Sequence, residues 1–250
     1  MILDPFDRYK NNLYLSPITA GTLQTLGERC GLSPASKVLD VFCGSGGAAI
    51  TLAEKFRCMV TGTEARPEFA EEARRRTIFG DLQLLVNIVD TEPGELPFDD
   101  AFFDLAMSIG FPYPYDSGEM VHKLARVVRP GGWIALSELV WKPGASQNSK
   151  DAVHGWLGGF APAEITDTND RKTRFRKEGF RVEWTELEKD ASWESYYAPQ
   201  ARSILENREE YQNSSDALST LNQWQNELEL YHIGGGRESL GYACFLLRRP

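Results

Sequence analysis

The chain has 250 residues, 42% of them hydrophobic, with a formal net charge of −9 and a pI of about 5.0. This length fits one large α/β domain, or a domain carrying an insertion, and the apolar content suffices for a sizeable core. The acidic balance argues against polyanionic partners, because phosphate neutralisation by Lys and Arg supplies most nucleic-acid affinity, and no apolar run approaches the ~20 residues of a membrane span.

Met1–Asn12 is polar and carries no signal-peptide pattern. Ser16-Pro17 predicts a helix running to about Cys30, with Ser at the N-cap and Pro at the first helical position. Lys37–Phe42 reads as a first strand and Gly47–Phe56 as the helix after it. Cys58–Glu64 is a second strand ending in an acid, followed by a helix over Pro67–Phe79 with Glu71, Glu72 and Arg74–Arg76 on its wet side. Leu82–Val89 predicts a third strand ending at Asp90, and Phe102–Ile109 a fourth. Gly118–Val128 reads as a helix stopped by Arg129-Pro130-Gly131-Gly132, before a fifth strand over Trp133–Val140. Strands alternating with helices in this way make βαβ units and a parallel sheet. Lys142–Thr168 is rich in Gly, Pro, Ser and Asn and reads as a loop with an aromatic patch at Trp156 and Phe160. Asp170–Glu178 predicts a helix, Phe180–Leu187 a sixth strand, Trp193–His232 a helical piece and Ser239–Arg248 a seventh strand. The expected plan is a single domain 1–250, with an N-terminal helical segment 1–35, a ligand-binding core 36–140, a loop segment 141–170 and a helical insertion 193–232. The four cysteines, Cys30, Cys43, Cys58 and Cys244, form no C-x-x-C pair. They read as reduced core thiols of a cytoplasmic protein, with no disulfide framework and no metal site.

The chemistry concentrates in Val38-Leu39-Asp40-Val41-Phe42-Cys43-Gly44-Ser45-Gly46-Gly47. Gly44 and Gly46 lack Cβ atoms, so a ligand can lie against bare backbone at a helix N-terminus. The same glycines fit a dinucleotide fingerprint. Asp40 turns the choice, because a carboxylate there repels a pyrophosphate and suits a ligand with a cationic end. At these residues the chain resembles the class I S-adenosylmethionine (SAM)-dependent methyltransferases, whose first motif reads acid-x-G-x-G-x-G. Phe42 stands at that motif's first glycine, so the loop there should be less tight or differently routed. The resemblance extends through Asp90, Leu96-Pro97-Phe98, Phe103-Asp104-Leu105 and the run from Leu124 to Leu136, which are similar to the small-molecule branch, the ubiquinone/menaquinone-biosynthesis-like methyltransferases. The C-terminal third resembles uncharacterised bacterial and archaeal members at Trp193–Gln200, Glu227–His232 and Gly241–Phe245.

The resemblance implies a Rossmann-like, doubly wound seven-stranded α/β sheet, mostly parallel, with strand seven antiparallel and a helical cap inserted between strands six and seven. It implies SAM as cofactor and S-adenosylhomocysteine as product. Asp40, Cys43, Gly44, Ser45, Gly46, Glu64, Ala65, Arg66, Asp90, Thr91 and Ser108 are the implied cofactor contacts, with Glu64 on the ribose hydroxyls and Asp90 on the adenine amino group. NAD is the competing cofactor, since dinucleotide domains also end their second strand in an acid.

On the acceptor side, Ser108-Ile109-Gly110-Phe111-Pro112-Tyr113 lacks the signature of nucleobase amino-methyltransferases. Trp193, Tyr196 and Tyr197 share one helix face, and Trp224, Leu228 and Tyr231 form a second stripe. These stripes either pack the inserted helices together or wall a substrate cavity at the carboxyl ends of the strands. Ile109, Phe111, Glu138, Trp141, Trp193, Tyr197 and Tyr231 are the candidate substrate residues. Glu138 is either a substrate-facing acid or a loop anchor. Methyl transfer needs positioning and desolvation more than a triad; His154, His232 and Glu138 are the candidate bases. The expected activity is methylation of a nitrogen or oxygen atom of a small metabolite. The alternatives are a protein or nucleic-acid methyltransferase, or a SAM-binding scaffold without catalysis.

Overall fold

The computed structural model describes residues 3–92, 96–110, 117–157 and 165–250, apart from the side chains of 155–157. Phe111, Phe160 and the side chain of Trp156 therefore lie outside the described residues. Seven strands form one sheet in the order β3-β2-β1-β4-β5-β7-β6. They are β1 (Lys37–Val41), β2 (Met59–Glu64), β3 (Val86–Asp90), β4 (Phe103–Ser108), β5 (Val128–Trp141), β6 (Arg181–Leu187) and β7 (Leu240–Arg248). The pairings β1–β2, β1–β4, β2–β3 and β4–β5 are parallel, whereas β7 runs antiparallel to both β5 and β6. The chain reverses its winding direction between β1 and β4, so a crevice opens beyond their carboxyl ends. The helices are α1 (Pro5–Tyr9), α2 (Ala20–Cys30), α3 (Gly47–Phe56), α4 (Pro67–Phe79), α5 (Ser117–Val127), α6 (Gln147–Leu157), α7 (Thr168–Lys177), α8 (Asp190–Glu210), α9 (Ser215–Ile233) and α10 (Gly236–Ser239).

Several boundaries differ from the sequence reading for identifiable reasons. The helix expected from Ser16 starts at Ala20, because Thr19 takes the N-cap and its hydroxyl accepts the Thr22 N–H at 3.1 Å. Ser16 and Pro17 stay outside it, and α1 forms upstream on a capping box of Asp4 and Asp7. The third strand loses its first four residues to a turn: Leu85 and Val86 both donate to the Leu82 carbonyl, and Leu84 is 91% exposed. The Arg129–Gly132 stop signal lies inside β5 as an irregularity, where Phe103 pairs with Val128 and Leu105 already pairs with Trp133. The stretch read as a loop after the fifth strand holds α6.

Two apolar clusters pack on the faces of the sheet, one including Leu23, Leu26, Leu52 and Leu105, the other Leu39, Phe103, Leu124 and Phe245. A third belongs to the insertion between β6 and β7. Trp193, Tyr197 and Ile204 of α8 meet Leu221, Leu228 and Tyr231 of α9, together with Leu240 and Tyr242 of β7. The Trp193 and Tyr231 rings stack at 4.5 Å with 17° between planes. Burial of one such aromatic side chain contributes about 4–6 kcal/mol of transfer free energy, which offsets the ordering of the inserted helices.

The N-terminal segment is tied to both bodies. Toward the insertion, the Arg8 guanidinium donates to Gln200 Oε1 at 2.6 Å and to Glu227 Oε2 at 2.7 Å, and Asn12 Nδ2 donates to the Tyr196 carbonyl at 2.9 Å. Toward the sheet domain, Arg66 grips the Asp4 carboxylate at 2.7 and 2.8 Å and Arg76 donates to the Asn12 carbonyl at 2.8 Å. Residues 13–18 are thereby held across the carboxyl edge of the sheet.

The Tyr231 hydroxyl is buried without a hydrogen-bond partner. Tyr231→Phe is therefore expected to leave stability unchanged or raise it by about 1 kcal/mol, whereas Tyr231→Ala should cost about 3–5 kcal/mol through cavity formation. Urea denaturation of both variants checks this; equal losses would mean that the hydroxyl is engaged.

Candidate functional site

β1 lies between β2 and β4, with Asp40 opposite Gly62 on one side and Met107 on the other. That register buries the Asp40 carboxylate, which is 1% exposed and, among the described residues, has no hydrogen-bond partner on either oxygen. Burial, with the Glu64 charge adding to it and the field of the Ala49 backbone N–H partly opposing it, pushes its pKa up to about 8. An acid kept in this condition is a site waiting for a cation or a donor.

Past β1, Phe42 adopts φ +62°, the left-handed region in which a residue with a Cβ is strained by roughly 1–2 kcal/mol. The expectation of a looser or rerouted loop is thus replaced: Phe42 accepts the conformation suited to the glycine it stands in for. Gly44 follows at φ +54°, where a Cβ would lie 2.4 Å from Leu15 Cδ1. At Gly47, the first residue of α3, a Cβ would lie 2.0 Å from the Leu13 carbonyl oxygen. Both positions thus let the strap of residues 13–15 sit directly on the glycine loop.

Glu64 ends β2 with its side chain turned onto this loop. One carboxylate oxygen accepts the Gly44 N–H and the other the Arg66 N–H, both at 3.0 Å. Each keeps lone-pair capacity for a further donor. Burial raises its pKa, and the two backbone donors oppose that rise. Cys43 is buried beside the two acids, and burial and their charges push its thiol well above the ordinary range, so it is an inert wall atom.

These groups line a cavity of about 380 Å³, together with Leu13, Tyr14, Leu15, Ser16 and Ile18 of the strap, Phe42, Gly44, Ala65, Arg66, Phe69, Glu92, Ile109 and Gly110. A second cavity of about 160 Å³ shares Leu15, Ser16 and Gly110 with it and continues to Pro17, Leu139, Trp193, Tyr196, Tyr197, Glu227, Leu240 and Tyr242. The shared wall is held in place by Ser137, whose hydroxyl accepts the Gly110 N–H at 2.9 Å and meets the Tyr242 hydroxyl at 2.7 Å.

Of the residues singled out from sequence, Asp40, Cys43, Gly44, Glu64, Ala65, Arg66 and Ile109 line the larger cavity, and Trp193 and Tyr197 the smaller. The remainder are placed elsewhere. Gly46 caps α3 at φ +80°. Ser45 and Ser108 are buried at the loop and at the end of β4 with hydroxyls lacking partners. The Asp90 carboxylate is paired with Arg74 and two-thirds exposed, so it points away from the cavity that Glu92 lines; Thr91 lies between them. Glu138 is 7% exposed and ion-paired with buried Arg171 of α7 at 3.1 Å, which makes it an anchor rather than a substrate-facing acid. Trp141 packs its ring against His154 at 5.1 Å, and His154 is exposed. His232 packs on Tyr197 and lies 3.8 Å from Glu194. Tyr231 sits behind Trp193 as packing, and Tyr196 lines the wall instead. None of the three candidate bases is brought to either cavity among the described residues.

The sequence reading missed the strap of residues 13–18 and Glu227. Ser16-Pro17 carried a helix-start signal that concealed the strap, and Glu227 adjoins an apolar stripe that reads as packing. Arg8, which holds Glu227, is separated from it by 219 positions.

Residues 38–132 match a family model described as a methyltransferase domain. The chain is 26% identical over 220 residues to the 27-O-demethylrifamycin SV methyltransferase of Amycolatopsis mediterranei (strain S699), covering 88% of this chain and 79% of that protein. It is 30% identical over 127 residues to the sarcosine/dimethylglycine N-methyltransferase of Halorhodospira halochloris, covering 49% of this chain and 46% of that one. A SAM-dependent methyltransferase of Thiobacillus denitrificans, crystallised with S-adenosylhomocysteine, shares the fold over the whole of both chains with a TM-score of 0.86 and 24% identity. Residues 38–132 are thus a methyltransferase domain, carried in a fold shared with SAM-dependent methyltransferases.

The Asp40 pKa carries a stability consequence of definite sign. The folded form holds the proton up to a pH of about 8, whereas the ordinary value is 3.8. Cofactor-free protein should therefore lose stability as pH rises between those values. Asp40→Asn should remove that slope, be more stable than the parent by about 2 kcal/mol or more at pH 8, and bind SAM weakly. Denaturation at pH 5 and pH 8 checks this; parallel pH profiles for the two proteins would contradict it.

Proposed function

We propose that this protein transfers the methyl group of SAM to a nitrogen or oxygen atom of a small metabolite, with SAM in the larger cavity and the acceptor in the smaller. The observation that carries this reading is the adjacency of the two cavities, which have Leu15, Ser16 and Gly110 as a common wall. One holds two buried acids and the other is walled by aromatic rings.

Bound SAM supplies a methyl group already activated on a sulfonium. The chain's residues hold and enclose it. Asp40, stripped of water and of partners, is suited to the cationic end of the cofactor. Glu64 is suited to a ribose diol, because each oxygen already ordered by a backbone N–H retains acceptor capacity. Glu92, with Asp90 and Thr91 preceding it, marks the side of the cavity on which we place the adenine. The strap of residues 13–18 and the aromatic wall exclude water, which leaves the reaction to proximity and desolvation. The small volume next to the cofactor cavity and the acidic charge of the chain favour a metabolite over a macromolecular acceptor.

SAM and S-adenosylhomocysteine should raise the melting temperature and NAD should not; stabilisation by NAD alone would sink the assignment. Glu64→Ala should weaken SAM binding by about 1.5–3 kcal/mol, the scale of charge-assisted hydrogen bonds. Glu68→Ala, on the exposed side of α4, should be nearly neutral. Calorimetric titration of both variants checks this, and equal losses would remove Glu64 from the cofactor site.

A further inference from the structure

The smaller cavity has a marked chemical bias. Among the described residues that line it, Glu227 is the one with a formal charge. Around it stand the rings of Trp193, Tyr196 and Tyr197, with centroids 4.9 to 6.4 Å apart. Their hydroxyls are already engaged: Tyr197 donates to Glu227 Oε1 at 3.3 Å, and Tyr196 meets the Tyr9 hydroxyl at 3.3 Å. Burial and the Glu227 charge both hold the Tyr197 hydroxyl in its protonated form. Trp193 and Tyr197 are 2% and 3% exposed and pack on Tyr231, so the half-buried Tyr196 ring and the Glu227 carboxylate are what the wall offers most openly to a ligand.

Glu227 is also held in place. Its Oε2 takes the Arg8 guanidinium at 2.7 Å, and Arg8 is braced by Gln200. Arg8 is 5% exposed and does not line the cavity. Oε1 takes only the long Tyr197 contact, and the Glu227 side chain is 33% exposed. An oxygen so placed has acceptor capacity for one more N–H.

We infer that the methyl acceptor is a small aliphatic amine, held through Glu227 Oε1 beside the Tyr196 ring, with Trp193 and Tyr197 completing the aromatic wall. This rests on the assignment of SAM to the adjoining cavity. A cation beside an aromatic ring is attracted by the ring's quadrupole, and the carboxylate adds a charge-assisted hydrogen bond. An amine arriving as an ammonium gives one proton to water. Its nitrogen lone pair then forms the N–C bond while the C–S bond breaks with its electron pair returning to sulfur. The products are a methylammonium ion, neutral S-adenosylhomocysteine and the released proton. Glu227 and the rings orient the nitrogen, and no residue need remove a proton within the cavity.

The test uses the full chain saturated with S-adenosylhomocysteine and two probes of nearly the same shape at pH 7, 2-(dimethylamino)ethanol, which is a protonated amine with one N–H, and its uncharged analogue 3-methylbutan-1-ol. The amine should bind about tenfold or more tightly by calorimetry. Glu227→Gln should cut that preference to about twofold while S-adenosylhomocysteine affinity stays the same. Should Glu227→Gln unfold through loss of the Arg8 partner, Tyr197→Leu, which keeps the Arg8–Glu227 pair, should reduce the preference likewise. Equal binding of the probes, binding of neither, or a preference unchanged in the variants overturns the amine assignment. Failure of S-adenosylhomocysteine itself to bind would instead overturn the cofactor assignment, so the two are told apart.

Discussion

The arrangement of the site follows from one electrostatic constraint, the carboxylate of Asp40 buried without a partner at the middle of the sheet. β1 is flanked by β2 and β4, so its acid is 1% exposed at the floor of the larger cavity. Placing a charge there is costly unless a cation or a donor arrives. The folded chain meets that cost by raising the acid's pKa; under the proposed function, the cationic end of the cofactor removes it. Glu64, one strand over, repeats the theme in milder form, because backbone N–H groups of Gly44 and Arg66 satisfy part of its demand. The strained backbone of Phe42 belongs to the same site, where local strain is tolerated because the surrounding strands hold it.

Around that point the chain encloses the cavity from two sides. The strap of residues 13–18 crosses the glycine loop because Gly44 and Gly47 leave room for it. The inserted helices α8 and α9 close the far side. Arg8 couples the two, joining the N-terminal segment to Gln200 and Glu227. A buried guanidinium of this kind contributes geometry more than net stability, and here the geometry is the orientation of Glu227 at the cavity wall. The two cavities proposed for cofactor and acceptor therefore share structural parts, since Leu15, Ser16 and Gly110 border both.

The insertion shows why aromatic residues at helical spacing are ambiguous in sequence. Trp193, Tyr197 and Tyr231 occupy equivalent positions in their stripes, yet Tyr231 is wholly interior while Trp193 and Tyr197 do double duty as core and wall. Helix spacing fixes which residues share a face, but which part of that face reaches a cavity depends on the crossing of α8, α9 and β7.

What the sequence by itself determined is the part governed by local periodicity and chain order. The alternation of strands and helices, the acids ending the first two strands and the glycine turn are all short-range features, and together they define the sheet and the cofactor cavity. The Arg129–Gly132 segment and the start of β3 were misread because pairing with a neighbouring strand decides where a strand begins, and that partner is distant in sequence. The acceptor side was decided by tertiary structure alone. Arg8 and Glu227 lie 219 positions apart, and Glu138 pairs with Arg171; on the other cavity's side, Asp90 pairs with Arg74. A carboxylate looks the same in sequence whether it faces a ligand or a guanidinium; only the packing of the elements around it sets its partner.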